Sequence, residues 1–493
     1  MLRSHRCFCV LCAVLAGAVA LAVLLAAPQA ARAQAAKGPL SFINDVAPIL
    51  KENCFACHDA KKRKGKLDMT TYETLRKGGD HDDPVVPGKP DESYAIDLLN
   101  ATDASRMPPK DSGEALPKEK IALIEQWVKE GAKLDAGLTP KSDLLRELRV
   151  RWKPPQPPAV YSRPVTVAAL AFTPDSKQVV VGGQYELTVW DAVSGKLEKR
   201  LAMRPERAMA LTFLPDGKLA LAGGRPGQEG NVAIYDLNAK GKVENGVTLL
   251  DGVNDKTVLV KELLDTDDVV YCLAVSADGK KLAAGNSADR TVNVWDLSPG
   301  YAAAKLEQSI ENHADWVLGI AFSPDAKQLL TCGRDKTAKV WDLAAKESLL
   351  TFPDHQNTVW GVAAKPDGKL AYSVGEDGQL RTWNATGEGK QVRAAGSGGP
   401  TFKVVLHPKL PLMATCGADK TVRLWNPDSG ATLKTLSGHA DYVYAVALSP
   451  DGNLVASGGY GGEVKVWKVA DGSNVKSFNA AVGLPLPAAP APK

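Results

Sequence analysis

Residues 439–468 read HADYVYAVALSPDGNLVASGGYGGEVKVWK. Within this stretch 443–448, 454–457 and 464–467 are short apolar runs of strand length, and Ser449-Pro450-Asp451-Gly452 is a turn between the first two. The stretch ends on Trp467-Lys468. The same mark recurs upstream at Trp190-Asp191, Trp295-Asp296, Trp341-Asp342, Trp383-Asn384 and Trp425-Asn426, with Tyr235-Asp236 standing in for one more. The last four intervals are 46, 42, 42 and 42 residues. A repeat of that length is one small sheet that cannot bury both faces alone, so the units must stack on one another. Seven marks predict seven sheets closed into a ring. The interval from Tyr235 to Trp295 is 60 residues, and its excess near 240–261 is expected to be an extended loop rather than another sheet.

In period and signature, residues 160–480 resemble the WD40 propeller family. That family ties the strands of each blade together with a buried His, Ser/Thr, Asp and Trp. His313, Thr331, Asp335 and Trp341 match this pattern, as do His355, Ser373, Asp377 and Trp383. The sixth blade keeps Thr415, Asp419 and Trp425 without a matching His. The seventh keeps His439, Ser457 and Trp467, with Gly461 where Asp belongs, and the first two blades are the most degenerate. Every repeat brings its own outer strand, the last at 475–478, so the strand exchange that usually closes such rings is not visible. Residues 159–165 are the candidates to supply it. His407 replaces the Ser-Pro-Asp turn and is expected at the surface. Asp289, Asp335, Asp377 and Asp419 recur once per blade and read as structural turn residues. No nucleophile elbow, phosphate loop or paired metal-binding histidines are present, so no catalytic residues are read.

The N-terminal part has a different composition. Cys54-Phe55-Ala56-Cys57-His58 is a C-x-x-C-H motif, the attachment signature of c-type haem. Thiols at this spacing can form two thioethers to one haem, and His58 can supply the proximal imidazole. Zinc would need two more Cys or His nearby, and His81 is the only further candidate. A redox dithiol would need alternating strands and helices, which the flanks lack. Phe42, Val46, Ile49 and Leu50 have helical spacing before the motif. Leu116-Pro117 opens a second helix with Ile121, Ile124, Trp127 and Val128 on one face and Gly131 at its end. The expected distal ligand is Met107, in Arg106-Met107-Pro108-Pro109-Lys110, because the prolines stiffen that loop. Met69, His81 and an open sixth position are the alternatives. The basic run Lys61-Lys62-Arg63-Lys64-Gly65-Lys66 could steer an acidic partner to the haem edge. The favoured reading is a solvated loop balanced by Asp80, Asp82 and Asp83.

The wider pattern resembles the cytochrome c domain of planctomycete proteins. The matching residues are Val46-Ala47-Pro48-Ile49-Leu50, Cys54-Phe55-Ala56-Cys57-His58, Lys64-Gly65-Lys66-Leu67-Asp68, Gly78-Gly79, Pro87-Gly88-Lys89-Pro90 with Ser93, and Met107-Pro108-Pro109. The resemblance implies one covalently attached haem c, held by Cys54 and Cys57 with His58 on the iron. It does not define a pathway.

Context comes from the ends of the chain. Arg3, His5 and Arg6 precede an uncharged apolar run, 7–27, and Ala31-Arg32-Ala33 offers a cleavage site. This reads as an export signal over 1–33, with a retained membrane anchor as the alternative. Leu11 before Cys12 excludes a lipoprotein site. Of the eight cysteines, three lie in that segment and two in the haem motif. Cys272, Cys332 and Cys416 are expected to be buried free thiols. A net charge of +4 over 493 residues does not argue for nucleic acid, and none is expected as a partner.

The expected organisation is an export signal at 1–33, a small all-α cytochrome c-like domain at 39–137 and a stiff Pro-rich linker at 138–158. A seven-bladed all-β WD40 propeller at 159–482 and a disordered Ala/Pro tail at 483–493 follow. The expected function is one-electron transfer in the periplasm through a His/Met-ligated haem, with the propeller docking a protein partner. The alternatives are a catalytic redox subunit with substrate or second cofactor in the propeller channel, and a haem-based sensor or scaffold.

Overall fold

The computed structural model describes residues 39–311 and 313–487. The expected export signal and residues 488–493 of the expected tail lie outside the described residues. The chain divides into two compact units after Trp152.

The first unit is built from helices: α1 (Ala47–Asn53), α2 (Tyr72–Lys77), α3 (Tyr94–Asn100), α4 (Lys118–Lys129) and α5 (Leu144–Arg151). A single wide turn, Phe42–Val46, leads into α1, where Pro48 occupies the first turn at no hydrogen-bond cost. Thr71 and Thr74 cap α2 reciprocally, and Asp143 accepts from Leu145 N–H and Arg146 N–H at the start of α5. The apolar spacing explains the packing. Phe42, Val46, Ile49 and Leu50 form one face, and Ile121, Ile124, Trp127 and Val128 of α4 form the other; all are buried in one core. The Phe42 and Trp127 rings stack at 5.0 Å. The free amides of the entering chain find distant carboxylates, Leu40 N–H on Glu130 and Ile43 N–H on Asp135, both at 2.7 Å. The expected linker is shorter than the sequence suggests. Residues 144–151 are helical, and Leu144 is fully buried in the same core, because an Asp cap and an apolar anchor outweigh the proline signal that begins only at Pro154.

The second unit carries seven blades among the described residues. Blades 3 to 7 are separate four-stranded antiparallel sheets beginning at Val270, Val317, Val359, Thr401 and Val443. Blades 1 and 2 share one sheet because a single 17-residue strand, Leu197–Phe213, is the outer strand of the first and the inner strand of the second. That continuity explains the degenerate early repeats. The excess near 240–261 is not an extended loop. Lys242–Glu244 and Val247–Asp251 form a hairpin whose second strand pairs in parallel with residues 199–202, adding a strand to the outer edge of blade 1.

The ring closes without strand exchange. Blade 7 supplies all four of its own strands. Val167, Leu170 and Phe172 of the entering chain pack with Ala445, Val464 and Phe478 of blade 7 in one cluster, and the Trp190 and Phe478 rings stack at 4.5 Å. Residues 161–167 run along blade 7 outside its sheet: Tyr161 N–H bonds Val482 O at 3.0 Å and Val167 N–H bonds Gly459 O at 3.1 Å. The first residues of the expected tail are also tied down. Leu484 packs beside Tyr161 and Ala481, and Asn479 Nδ2 donates to Pro485 O at 2.7 Å. Proline density here therefore does not keep Leu484 and Pro485 from packing and bonding to the end of blade 7.

The polar ties are complete in blades 4, 5 and 7. His313 Nδ1 lies 2.8 Å from Asp335 Oδ2, and its Nε2 lies 2.7 Å from Thr331 Oγ1, which accepts the Trp341 indole N–H at 3.0 Å. His355, Asp377, Ser373 and Trp383 repeat the set. In blade 6, which lacks the His, Asp419 pairs with Arg423, as Asp377 pairs with Arg381 in blade 5. In blade 7 the carboxylate is supplied by Glu463, two residues beyond Gly461, at 3.0 Å from His439 Nδ1. His407 is 2 % exposed and not at the surface. Its Nδ1 accepts the Lys409 and Leu410 amides at 3.1 and 3.0 Å, and Nε2–H donates to Pro450 O of blade 7 at 3.2 Å. The Ser323 and Ser449 hydroxyls accept turn amides in other blades. Burial of the imidazole is tolerated because both ring nitrogens are paired.

Glu463 makes stability depend on pH. Burial pushes its carboxyl up, but hydrogen bonds from His439, Lys465 and the Ala440 amide outweigh that and hold it at about 2, below the ordinary 4.5. A folded-state value below the unfolded one stabilises the protein above the unfolded value, and this contribution disappears as pH falls to about 2. The expected gap in propeller stability between wild type and Glu463→Gln is about 3 kcal/mol at pH 7, closing toward pH 2. Urea unfolding followed by tryptophan fluorescence at several pH values measures it, and a pH-independent gap would remove the ionised carboxylate as the cause.

Candidate functional site

The C-x-x-C-H motif sits where α1 runs out. Cys54 N–H and Phe55 N–H both still bond to Leu50 O, at 2.8 and 3.1 Å. The next turn is drawn tight by Cys57 N–H and His58 N–H, which share Cys54 O at 3.1 and 3.0 Å. Phe55 is buried in the apolar core and anchors the turn, while Cys54, Cys57 and His58 are half-buried. Alternation of one core residue with reactive neighbours holds both thiols and the imidazole on a single rigid turn.

The following loop returns to the same backbone. Lys64 N–H bonds Cys57 O at 3.0 Å, Met69 N–H bonds His58 O at 2.8 Å, and Lys62 Nζ donates to Ala56 O at 2.7 Å. Asp59 accepts the Lys61 and Lys62 amides, and the Lys62 amide leads the bonds that hold its carboxyl below the usual range. In the basic run, Arg63 pairs with Asp68 at 3.6 Å and Lys66 with Asp80 at 2.7 Å. Asp83, expected to balance this run, goes to Arg76 instead.

Both thiols are free. Burial, with the nearby Cys57, pushes the Cys54 thiol up to about 12, so it stays protonated. His58 Nδ1 is buried and has no hydrogen-bond partner. An orphaned imidazole nitrogen is expensive unless a bound group completes the site. Two free thiols two residues apart and an adjacent unsatisfied imidazole form a donor set that fits haem c. Among the described residues no three His, Cys, Asp or Glu side chains gather as a metal-holding cluster.

The structure joins Cys54, Cys57 and His58 on that turn. Met107 lies on the separate loop between α3 and α4, half-buried, with its N–H on Leu98 O at 2.9 Å. Met69 packs against the apolar core instead. His81 is exposed, with its ring 4.6 Å from that of Tyr94. Sequence reasoning missed Arg106: its Nη2 donates to Gly113 O at 2.9 Å, closing the loop beside Met107, while its Nε is buried and unpartnered.

Comparison with known proteins divides the chain the same way. Residues 54–111 match the family model described as Planctomycete cytochrome C. Residues 257–296, 304–342, 346–384, 396–426 and 430–468 match the one described as WD domain, G-beta repeat. The chain is similar to WD repeat and SOCS box-containing protein 1 of Xenopus tropicalis, 32 % identical over 22 % of this chain and 24 % of that protein. It is similar to Nuclear distribution protein nudF of Aspergillus niger, 27 % identical over 37 % of each chain. It also matches WD repeat-containing protein 1 of Gallus gallus, 36 % identical over 18 % of this chain and 14 % of that one. The chain thus spans well under half the length of these curated relatives. What the molecule carries is a cytochrome c domain of the planctomycete type, which implies haem binding, joined to a WD40-repeat propeller.

Proposed function

We propose that the chain is an exported one-electron carrier docked by its propeller onto a protein partner in the periplasm. The observation that carries this reading is the C-x-x-C-H turn, with two free thiols and a buried, unpartnered imidazole nitrogen on one rigid segment. Cys54 and Cys57 would attach a single haem through thioethers, His58 would hold the iron on the proximal side, and Met107 on the distal side. Bound there, haem supplies an iron that cycles between Fe(II) and Fe(III), one electron at a time. The chain's own work is positioning. Phe55 and the Leu50 carbonyl hold the turn, and the Met69–His58 backbone bond closes the loop behind the imidazole. The Arg106–Gly113 bond restrains the loop that presents Met107. The WD40 repeats support a protein-interaction platform, a rigid ring suited to docking.

The test is absorption spectroscopy of the full chain, matured with c-type haem machinery, beside Met107→Ala. Wild type is expected to show a sulfur-to-iron charge-transfer band that the variant lacks. The variant's midpoint potential is expected to fall by on the order of 0.1 V, a fraction of the ~0.8 V that axial ligands span. An unchanged spectrum would remove Met107 from the iron. Rapid carbon monoxide binding by the wild-type ferrous form would favour sensing over electron transfer. Cell fractionation tests export.

A further inference from the structure

The axis of the propeller encloses a cavity of about 780 Å³ lined by the innermost strand of every blade. The strand registers define one equivalent position in each. Ala210 faces Ala222, Cys272 faces Gly285, Gly319 faces Cys332, Gly361 faces Val374, Lys403 faces Cys416 and Ala445 faces Gly458. In blade 1 Ala169 holds the same place, its carbonyl accepting Gly182 N–H. Six blades put Ala, Cys or Gly there, which keeps the channel open. Blade 6 puts Lys403 there.

A lysine at such a place is costly unless something answers its charge. Lys403 is half-buried and makes no ion pair among the described residues, and no Asp or Glu is among the described residues lining the cavity. Its ammonium acts electrostatically on the thiols of Cys272, Cys332 and Cys416, which come from blades 3, 4 and 6. Burial raises those thiols, so they stay neutral and are not its counter-ions. The Trp360 side chain lines the same space, and its indole N–H is buried with no acceptor. Trp360 stands one residue before Gly361, the equivalent of Lys403 in the neighbouring blade, and its ring meets Phe402 edge-on at 6.0 Å. The other cation of the lining, Lys409, is exposed beyond the far end of the same strand.

We propose that the propeller channel is a binding site for a small organic carboxylate, whose anionic group is held by Lys403 and whose apolar body lies against the Trp360 ring and the Ala, Val and Leu walls. The cavity is within the usual range for a small-molecule site. Its charge pattern, cations without carboxylates, selects anions over cations and neutral molecules. The site lies wholly within the propeller and is independent of haem chemistry.

Saturation-transfer NMR on the full chain tests it, with benzoate, acetate and octanoate as probes and benzamide as the uncharged counterpart of benzoate. Benzoate is expected to bind, and benzamide to bind about tenfold or more weakly, the factor produced by ~1.4 kcal/mol of charge-assisted hydrogen bonding. Lys403→Met, which keeps length and removes charge, is expected to lose a similar factor, and Lys403→Arg to keep most of the binding. Equal binding of benzoate and benzamide by wild type would overturn the proposal whether or not the variants fold. So would unaltered benzoate binding by Lys403→Met with a wild-type melting curve, or no transfer to any of the three carboxylates at millimolar concentration.

Discussion

Changing Cys54 and Cys57 together to Ser is expected to abolish covalent haem, so that haem staining of a denaturing gel shows no band where the wild-type chain stains. The effect is all-or-none because only a thioether survives denaturation, and a serine hydroxyl does not form the equivalent bond to a haem vinyl group. Each single variant keeps one thiol and is expected to stain, at reduced yield. The double variant is expected to fold. Neither thiol is bonded to another cysteine, and the anchor of the turn is Phe55, which the changes leave in place. Near-ultraviolet circular dichroism, reporting the packed Phe42 and Trp127 rings, checks that the helical core remains. A double variant that is folded and still stains would show that the haem is attached elsewhere. A wild-type chain that does not stain, under conditions that mature a control cytochrome, would remove covalent haem altogether.

Arg200→Met is expected to destabilise the propeller by about 3–5 kcal/mol, the cost of leaving a buried charge without its partner. Glu186 is 1 % exposed in blade 1. It accepts Arg200 Nε at 2.7 Å, Arg200 Nη2 at 2.9 Å and the Tyr161 hydroxyl at 2.6 Å. Arg200 also donates to the carbonyls of Pro158 and Ala159. One guanidinium therefore holds the chain entering the ring and neutralises a carboxylate beneath it. Tyr161 in turn is bonded to Val482, so the damage falls on the join between first and last blades. Removing the charge on both sides, Glu186→Gln with Arg200→Met, is expected to recover much of the loss, because the uncompensated carboxylate is the main penalty. Urea unfolding of the three variants measures this. A loss below about 1 kcal/mol for Arg200→Met would put the pair among weak surface bridges.

Much of the molecule could be read from spacing. The helical faces around Phe42 and Trp127, the Cys54–His58 turn and the polar sets of blades 4 and 5 are local or repeated patterns, and each repeat reports on the others. Lys403 was also visible in principle: Gly319, Gly361, Lys403 and Ala445 are each 42 residues apart, so a lysine among small residues stands out on alignment of the repeats. What escaped were substitutions of one chemistry for another at a displaced position. Glu463 replaces the Asp expected at Gly461 because a longer side chain starting two residues later reaches the same imidazole. His407 was expected outside because its position is a turn in other blades, yet its ring nitrogens find partners in its own turn and in blade 7. The proline-rich stretches misled in both places for one reason. Proline removes a donor and stiffens the chain, but neither effect prevents an extended segment from packing.

What is periodic or short-range is legible before any fold is known: the two kinds of domain, the number of blades and the three reactive groups on one turn. Those depend on contacts between residues a few places apart, or on one unit repeated. How the ring closes, where the hairpin inserted in blade 2 lodges and what surrounds Lys403 follow from the assembled fold alone. Each of these depends on which distant segments share a face, and apolar surfaces attract without direction. Their partners are chosen by shape and by the need to pair every buried polar group, conditions met only when the whole chain is in place.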